Sequence, residues 1–202
     1  MDSGKSFDIT AATRAICEHM SANVDELSHI DMSRVAVGYC QTRKNVSHGI
    51  QASLTPLRFE AGATVKTVAG RQYACQRIVT ADGRECLYLL NLYLPRFQNL
   101  PFDEKLTTIV HELWHISPRF DGDLRRHQGR CHVHGRSQAA FDAHAAALAK
   151  AWLSQSPSAE LHDWLRCDFR GLCQRVGSII GTRYPAPKLI PLAASAARST
   201  NT

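Results

Sequence analysis

The chain has 202 residues and a mass of 22.4 kDa, enough for one domain with a sizeable core and too little for two large ones. With 44% apolar, 21% charged and 7% aromatic residues it falls in the globular range, which excludes a disordered or collagenous chain. The formal charge of +6 is unevenly placed: residues 1–116 carry 12 Lys+Arg against 12 Asp+Glu, and residues 117–202 carry 12 against 6, so the excess lies wholly in the second part.

No apolar run approaches the roughly 20 residues a membrane helix needs; the best, residues 86–94, contains Asn91 and stops at Pro95. Met1 to Lys5 is not followed by the apolar core of a secretory signal, so a cytoplasmic protein with no membrane partner is expected. Seven cysteines with no Cys-x-x-Cys pair imply reduced, small core residues rather than a disulfide framework or a zinc ribbon.

In chain order, Ile9, Ala12, Ala15, Ile16 and Met20 recur at helical spacing behind Asp8, a helix-capping residue type, and predict a helix over 9–20. Residues 35–39, 50–54, 64–68, 73–79 and 86–94 are short runs bounded by Gly, Pro, Asn or Asp, and predict an antiparallel sheet. Asp82-Gly83 tolerates the positive φ of a tight hairpin turn, so 73–79 and 86–94 are expected to pair. From Phe102 the period returns to helical. Leu106, Ile109, Val110, Leu113 and Trp114 form an apolar stripe, Pro101, Asp103 and Glu104 suit the positive end of the helix, and Pro118 breaks it after about Ile116. Residues 121–135, with three glycines and many charges, read as a loop. An Ala- and Leu-rich helix follows over 137–154, and 161–180 is helical in part. The domain is expected to span 1–183, with 184–202 an extended tail frayed at its end.

The chemistry lies in His111-Glu112-Leu113-Trp114-His115. Spacing i, i+4 puts both imidazoles on one helical face, where they can take two tetrahedral positions on Zn²⁺, and Glu112 is placed to act on water held by the metal. From the composition, this pattern arises about 0.02 times by chance in a chain of this length. A catalytic zinc site normally has three protein ligands and one open position. The metzincin continuation is absent, since Pro118 and Asp121 stand where it needs Gly and His, and no Glu lies between Glu112 and Glu160. Candidates for the third ligand are His127, His132, His134 and His144, with His162 more remote. His134 is preferred: with Gly135 it sits just before the next helix, where a loop can swing an imidazole back. His132 is the nearest rival. Asp121 or Asp123 could orient a ligand by accepting an imidazole N–H.

The run HELWHISPRFDGDLRR from His111 to Arg126, followed by His132-Val133-His134-Gly135, resembles a phage metallopeptidase family of short zincins. Ile30-Asp31-Met32-Ser33-Arg34 and Pro95-Arg96-Phe97 are similar to it as well, so the resemblance covers residues 7–145. His134-Gly135 also resembles the third-ligand motif of SprT-like metalloproteases, in which an aromatic residue usually follows within a few positions; here Phe141 is six residues past Gly135. The resemblance implies an α+β, zincin-like fold and a zinc-dependent peptidase, with His111, His115 and His134 as ligands and Glu112 as general base.

In such an enzyme Glu112 takes a proton from zinc-activated water as it attacks a peptide carbonyl, and Arg125, Arg126, His127 or His132 could stabilise the oxyanion. A second reading is a nucleic-acid-associated protein with a structural metal, or a DNA-linked SprT-like protease. It would use the Arg-rich segment 119–136, with Arg119, Arg125, Arg126, Arg130 and Arg136 on phosphates, although no aromatic residues interleave with 125–136. The same arginines also suit a soluble surface with internal ion pairs. Further alternatives are a catalytically silent zincin fold, against which the intact Glu112 argues, and a closed structural site using Cys131.

Overall fold

A computed structural model describes residues 6–42, 49–126 and 138–193. Strand β1 (Ser6–Asp8) runs straight into helix α1 (Ile9–Asn23), and the Asp8 carboxylate accepts the backbone N–H groups of Thr10 and Ala11, so the expected cap is present. The predicted stripe points inward: Ile9, Ile16, Cys17 and Met20 are fully buried.

The central sheet has β6 (Tyr88–Leu94) in the middle, flanked by β2 (Val35–Gln41) and β3 (Ala52–Pro56). β2 and β6 are parallel and β3 is antiparallel to β6, which corrects the expectation of an antiparallel sheet. The predicted hairpin is also corrected. Its turn forms, with Gly83 at φ 83° and a bridge between Val79 and Glu85, but pairing stops there. Beyond it, β5 (Arg71–Cys75) joins a separate antiparallel sheet between β4 (Val65–Val68) and β8 (Leu189–Pro191). The reason lies in composition. Tyr88, Leu89, Leu90, Leu92 and Leu94 are apolar on both faces, so β6 is stable only where both faces are covered. Tyr88, Leu90 and Leu92 face the helical core, while Leu89 packs with Ala36, Leu57 and Cys86 on the other side.

Within the tail, residues 189–191 are extended. Tyr73 and Pro191 are partners across β5 and β8, and the residues from 194 onward lie outside the described ones. A further strand, β7 (Ser178–Ile180), runs parallel to β1.

Helix α2 (Phe102–Trp114) packs on α3 (Gln138–Ser154) and on β3. It stops two residues short of the expected Ile116, with His115 at its C-terminal cap. Lys105, 1% exposed on α2, donates 2.7 Å hydrogen bonds to the carbonyls of Leu165 and Cys167, and burial holds its ammonium down at about 8. This ties α2 to the C-terminal part, where α4 (Ala159–His162) and α5 (Phe169–Val176) are short. The architecture is mixed α+β. No helix among the described residues is long and apolar enough to cross a membrane. Cys17 and Cys86 are buried free thiols, and burial pushes the Cys17 thiol up to about 12, as suits an inert core residue.

After α2 the chain reverses and returns beside its own end. Ile116 and Leu124 bridge, and the Arg125 N–H donates to the His115 carbonyl at 2.6 Å. The buried Tyr88 hydroxyl fixes this reversal by donating to the Asp123 carbonyl at 2.8 Å and accepting from the Gly122 N–H at 2.9 Å. Gly122 has φ 88°, and a Cβ there would come within 2.5 Å of the Arg58 side chain, so glycine is required. Tyr88→Phe strands the Gly122 N–H and leaves the Asp123 carbonyl with the Ser117 N–H alone, and is expected to cost about 1–3 kcal/mol, read as a lower urea midpoint at unchanged m-value; an unchanged midpoint would refute this role.

Candidate metal centre

Helix α2 presents His111 and His115 one turn apart, and their Nε2 atoms lie 3.1 Å from each other. Ligands 2.0–2.1 Å from a tetrahedral ion sit about 3.3 Å apart, so the two nitrogens are spaced as neighbouring ligands would be. The rings are fixed from outside the helix. Phe141 of α3 stacks on His115 at 4.7 Å and 24°, and meets His111 edge-on at 4.7 Å. Asp142, next along α3, accepts from His111 Nδ1 at 2.9 Å. That bond places the His111 proton on Nδ1 and leaves the Nε2 lone pair toward its partner, the arrangement carboxylates impose on zinc-binding histidines. Asp142→Ala is expected to weaken zinc binding about 10- to 100-fold, measured by competition with a chromophoric chelator; unchanged affinity would mean that the contact is only structural.

Glu112 points to the sheet side of α2 and is 8% exposed. Burial pushes its carboxyl up to about 7, opposed by a hydrogen bond from the Leu54 backbone N–H. Leu54 lies on the edge strand β3. Gln51 and Leu57 bond to the β6 side, so the odd positions face β6, while the backbone groups of Ala52 and Leu54 point the other way, toward α2. A cleft of about 440 Å³ opens between β3, α2 and the start of α3, with Ala52, Glu104, His111, Glu112 and Asp142 among its walls.

Among the described residues no group of three or more His, Cys, Asp or Glu could hold a metal ion. His134, the expected third ligand, lies outside the described residues, as do His127, His132, Cys131, Arg130 and Arg136. The neighbours of that segment do lie beside the pair: Arg125 on one side bonds His115, and Phe141 on the other stacks on it. His144 packs against Trp114 at 4.5 Å and His162 against Phe102 and Trp152, so neither is brought to the pair.

Among the described residues, Asp121 and Asp123 are not bonded to a histidine. Asp123 accepts from the Ala61 and Leu124 N–H groups and from Arg126, and Asp121 from Arg119 and the Asp123 N–H. The described arginines are engaged locally. Arg125 lies over the Trp114 ring at 3.7 Å and donates to the Trp114 carbonyl, while Arg126 pairs with Asp123 and Glu60. Neither lines the cleft. Sequence reasoning missed Asp142, and it named Phe141 only as the aromatic residue after His134-Gly135, not as a ring against the histidines; the available signal was that Asp142 is the only acid in an otherwise Ala-rich helix.

Compared with family models, curated proteins and solved structures, the chain matches none of them.

Proposed function

We propose that the chain is a zinc-dependent metallopeptidase of zincin-like architecture. His111 and His115 hold the ion, His134 completes the set with His132 as the alternative, and Glu112 is the general base. The observation that carries this reading is the convergence of the two Nε2 atoms, 3.1 Å apart, beside a nearly buried carboxylate in an open cleft. The donor set fits zinc: neutral imidazoles, one of them oriented by a carboxylate.

Zn²⁺ held by these histidines would supply Lewis acidity and would lower the pKa of water at the site toward ~7. The remaining steps belong to the chain. Glu112, anchored by the Leu54 N–H, accepts the proton of the attacking water and returns it to the leaving amine. A carboxyl poised near 7 can do both at neutral pH, because it neither holds nor refuses the proton strongly. The outward backbone groups of Ala52 offer an extended peptide a strand to pair with, which lays its carbonyls across the cleft. Asp142 keeps His111 from turning away as charge develops.

The test is hydrolysis of a fluorescently labelled unfolded protein. Activity is expected from the zinc-loaded chain, abolished by a chelator and restored by one equivalent of Zn²⁺. Activity that survives chelation, or none from zinc-loaded protein on unfolded proteins and peptide mixtures, would overturn the reading.

A further inference from the structure

The cleft extends well past the histidine pair, along α2 toward its N-terminus. Glu104, Thr108, His111 and Glu112 all line it, so one face of α2 forms its floor. Glu104 is seven residues before His111, two turns or about 10 Å along the axis. We propose that this far end is a subsite for a basic side chain of the substrate, with Glu104 as the specificity-determining carboxylate; the proposal rests on the peptidase reading.

The walls and the charge are matched to lysine or arginine. Besides the histidine and the carboxylates, the lining includes Ala52, Leu100 and Thr108, whose hydroxyl donates to the Glu104 carbonyl at 2.7 Å. Apolar Ala52 and Leu100 suit a methylene stem, and the Glu104 carboxylate suits its cationic head. No Lys or Arg is among the described residues that line the cleft. Lys105, adjacent to Glu104 in sequence, cannot neutralise it because its ammonium is turned into the core onto Leu165 and Cys167. The other two carboxylates of the cleft are occupied, Asp142 by His111 and Glu112 by the Leu54 N–H. Glu104 is exposed and forms no ion pair with the described residues, so its carboxylate is accessible to a ligand entering the cleft. An acidic cleft is not a consequence of composition either, since the chain as a whole is at +6.

Glu104 also lies in the first turn of α2, where a carboxylate favours the helix. A purely helix-stabilising role would change the melting temperature of Glu104→Gln without altering ligand charge preference. The test therefore uses hexapeptides carrying Lys, Gln or Glu at each position in turn. Their binding to the Glu112→Gln protein with Zn²⁺ is read by fluorescence anisotropy, and their cleavage by the wild type as kcat/KM. At one position, Lys is expected to bind about tenfold tighter than Glu. Adding Glu104→Gln should remove the preference, and Glu104→Lys should reverse it. No charge preference, no binding, or a preference that Glu104→Lys leaves intact would each overturn the subsite. Charge-selective binding without any cleavage would overturn the peptidase reading alone, and cleavage without charge selectivity would overturn the subsite alone.

Discussion

Glu112→Gln is expected to lower peptide hydrolysis about 10²- to 10⁴-fold while leaving zinc content unchanged. The substitution keeps the side chain's volume and one oxygen that can still accept the Leu54 N–H, so the local packing has no reason to move. What disappears is the ability to take and return a proton. A second consequence follows from burial. In metal-free protein a carboxyl raised from its ordinary 4.5 to about 7 contributes fully to stability below pH 4.5, and the contribution is lost as pH rises through 7. The metal-free wild type should therefore weaken between pH 5 and pH 8, by up to about 3 kcal/mol, and Glu112→Gln should not. At pH 8 the inactive variant is then the more stable of the two, measured by urea denaturation in the presence of a chelator. Full activity in Glu112→Gln, or the same pH dependence in both proteins, would contradict the assignment.

Loss of either helix histidine has the other large effect. His111→Ala and His115→Ala are each expected to lower zinc affinity by more than the about 10- to 100-fold anticipated for Asp142→Ala, because a ligand is removed rather than its support. His115 is 7% exposed and stacked on Phe141, so its truncation also leaves a cavity. His115→Gln fills that space without restoring the imidazole and separates the two causes. Loss of zinc in both variants, with melting temperature under chelation restored only in His115→Gln, marks the histidine as a ligand. Zinc retained by His111→Ala and His115→Ala, measured by competition with a chromophoric chelator, would contradict it.

Much of this arrangement is legible in the sequence, and the exceptions have physical reasons. The helices at 9–23, 102–114 and 138–154 announce themselves through periodic apolar residues, Asp8, Pro101 and the Ala-rich run. Strand direction is a different matter. β2 and β6 are joined by a long excursion, and no local signal says that they run the same way. The Asp82-Gly83 turn is genuine, yet it cannot dictate pairing for β6, whose apolar faces both need cover. The prolines of the tail predict extended chain without naming a partner, and β8 finds one as an edge strand, which tolerates a residue that cannot donate. At the site, the i, i+4 spacing of His111 and His115 is visible at once. Asp142 and Phe141 come from a different helix and are invisible until α2 and α3 pack, whereas Asp121 and Asp123, close in sequence, serve the chain reversal.

We propose that this chain holds one catalytic zinc ion. The most direct test is elemental analysis of protein loaded with zinc and dialysed, comparing the wild type with His111→Ala, His132→Ala and His134→Ala. About one zinc per chain in the wild type and in His132→Ala, with none in His111→Ala or His134→Ala, is the predicted result. Wild-type protein that retains no zinc would contradict it.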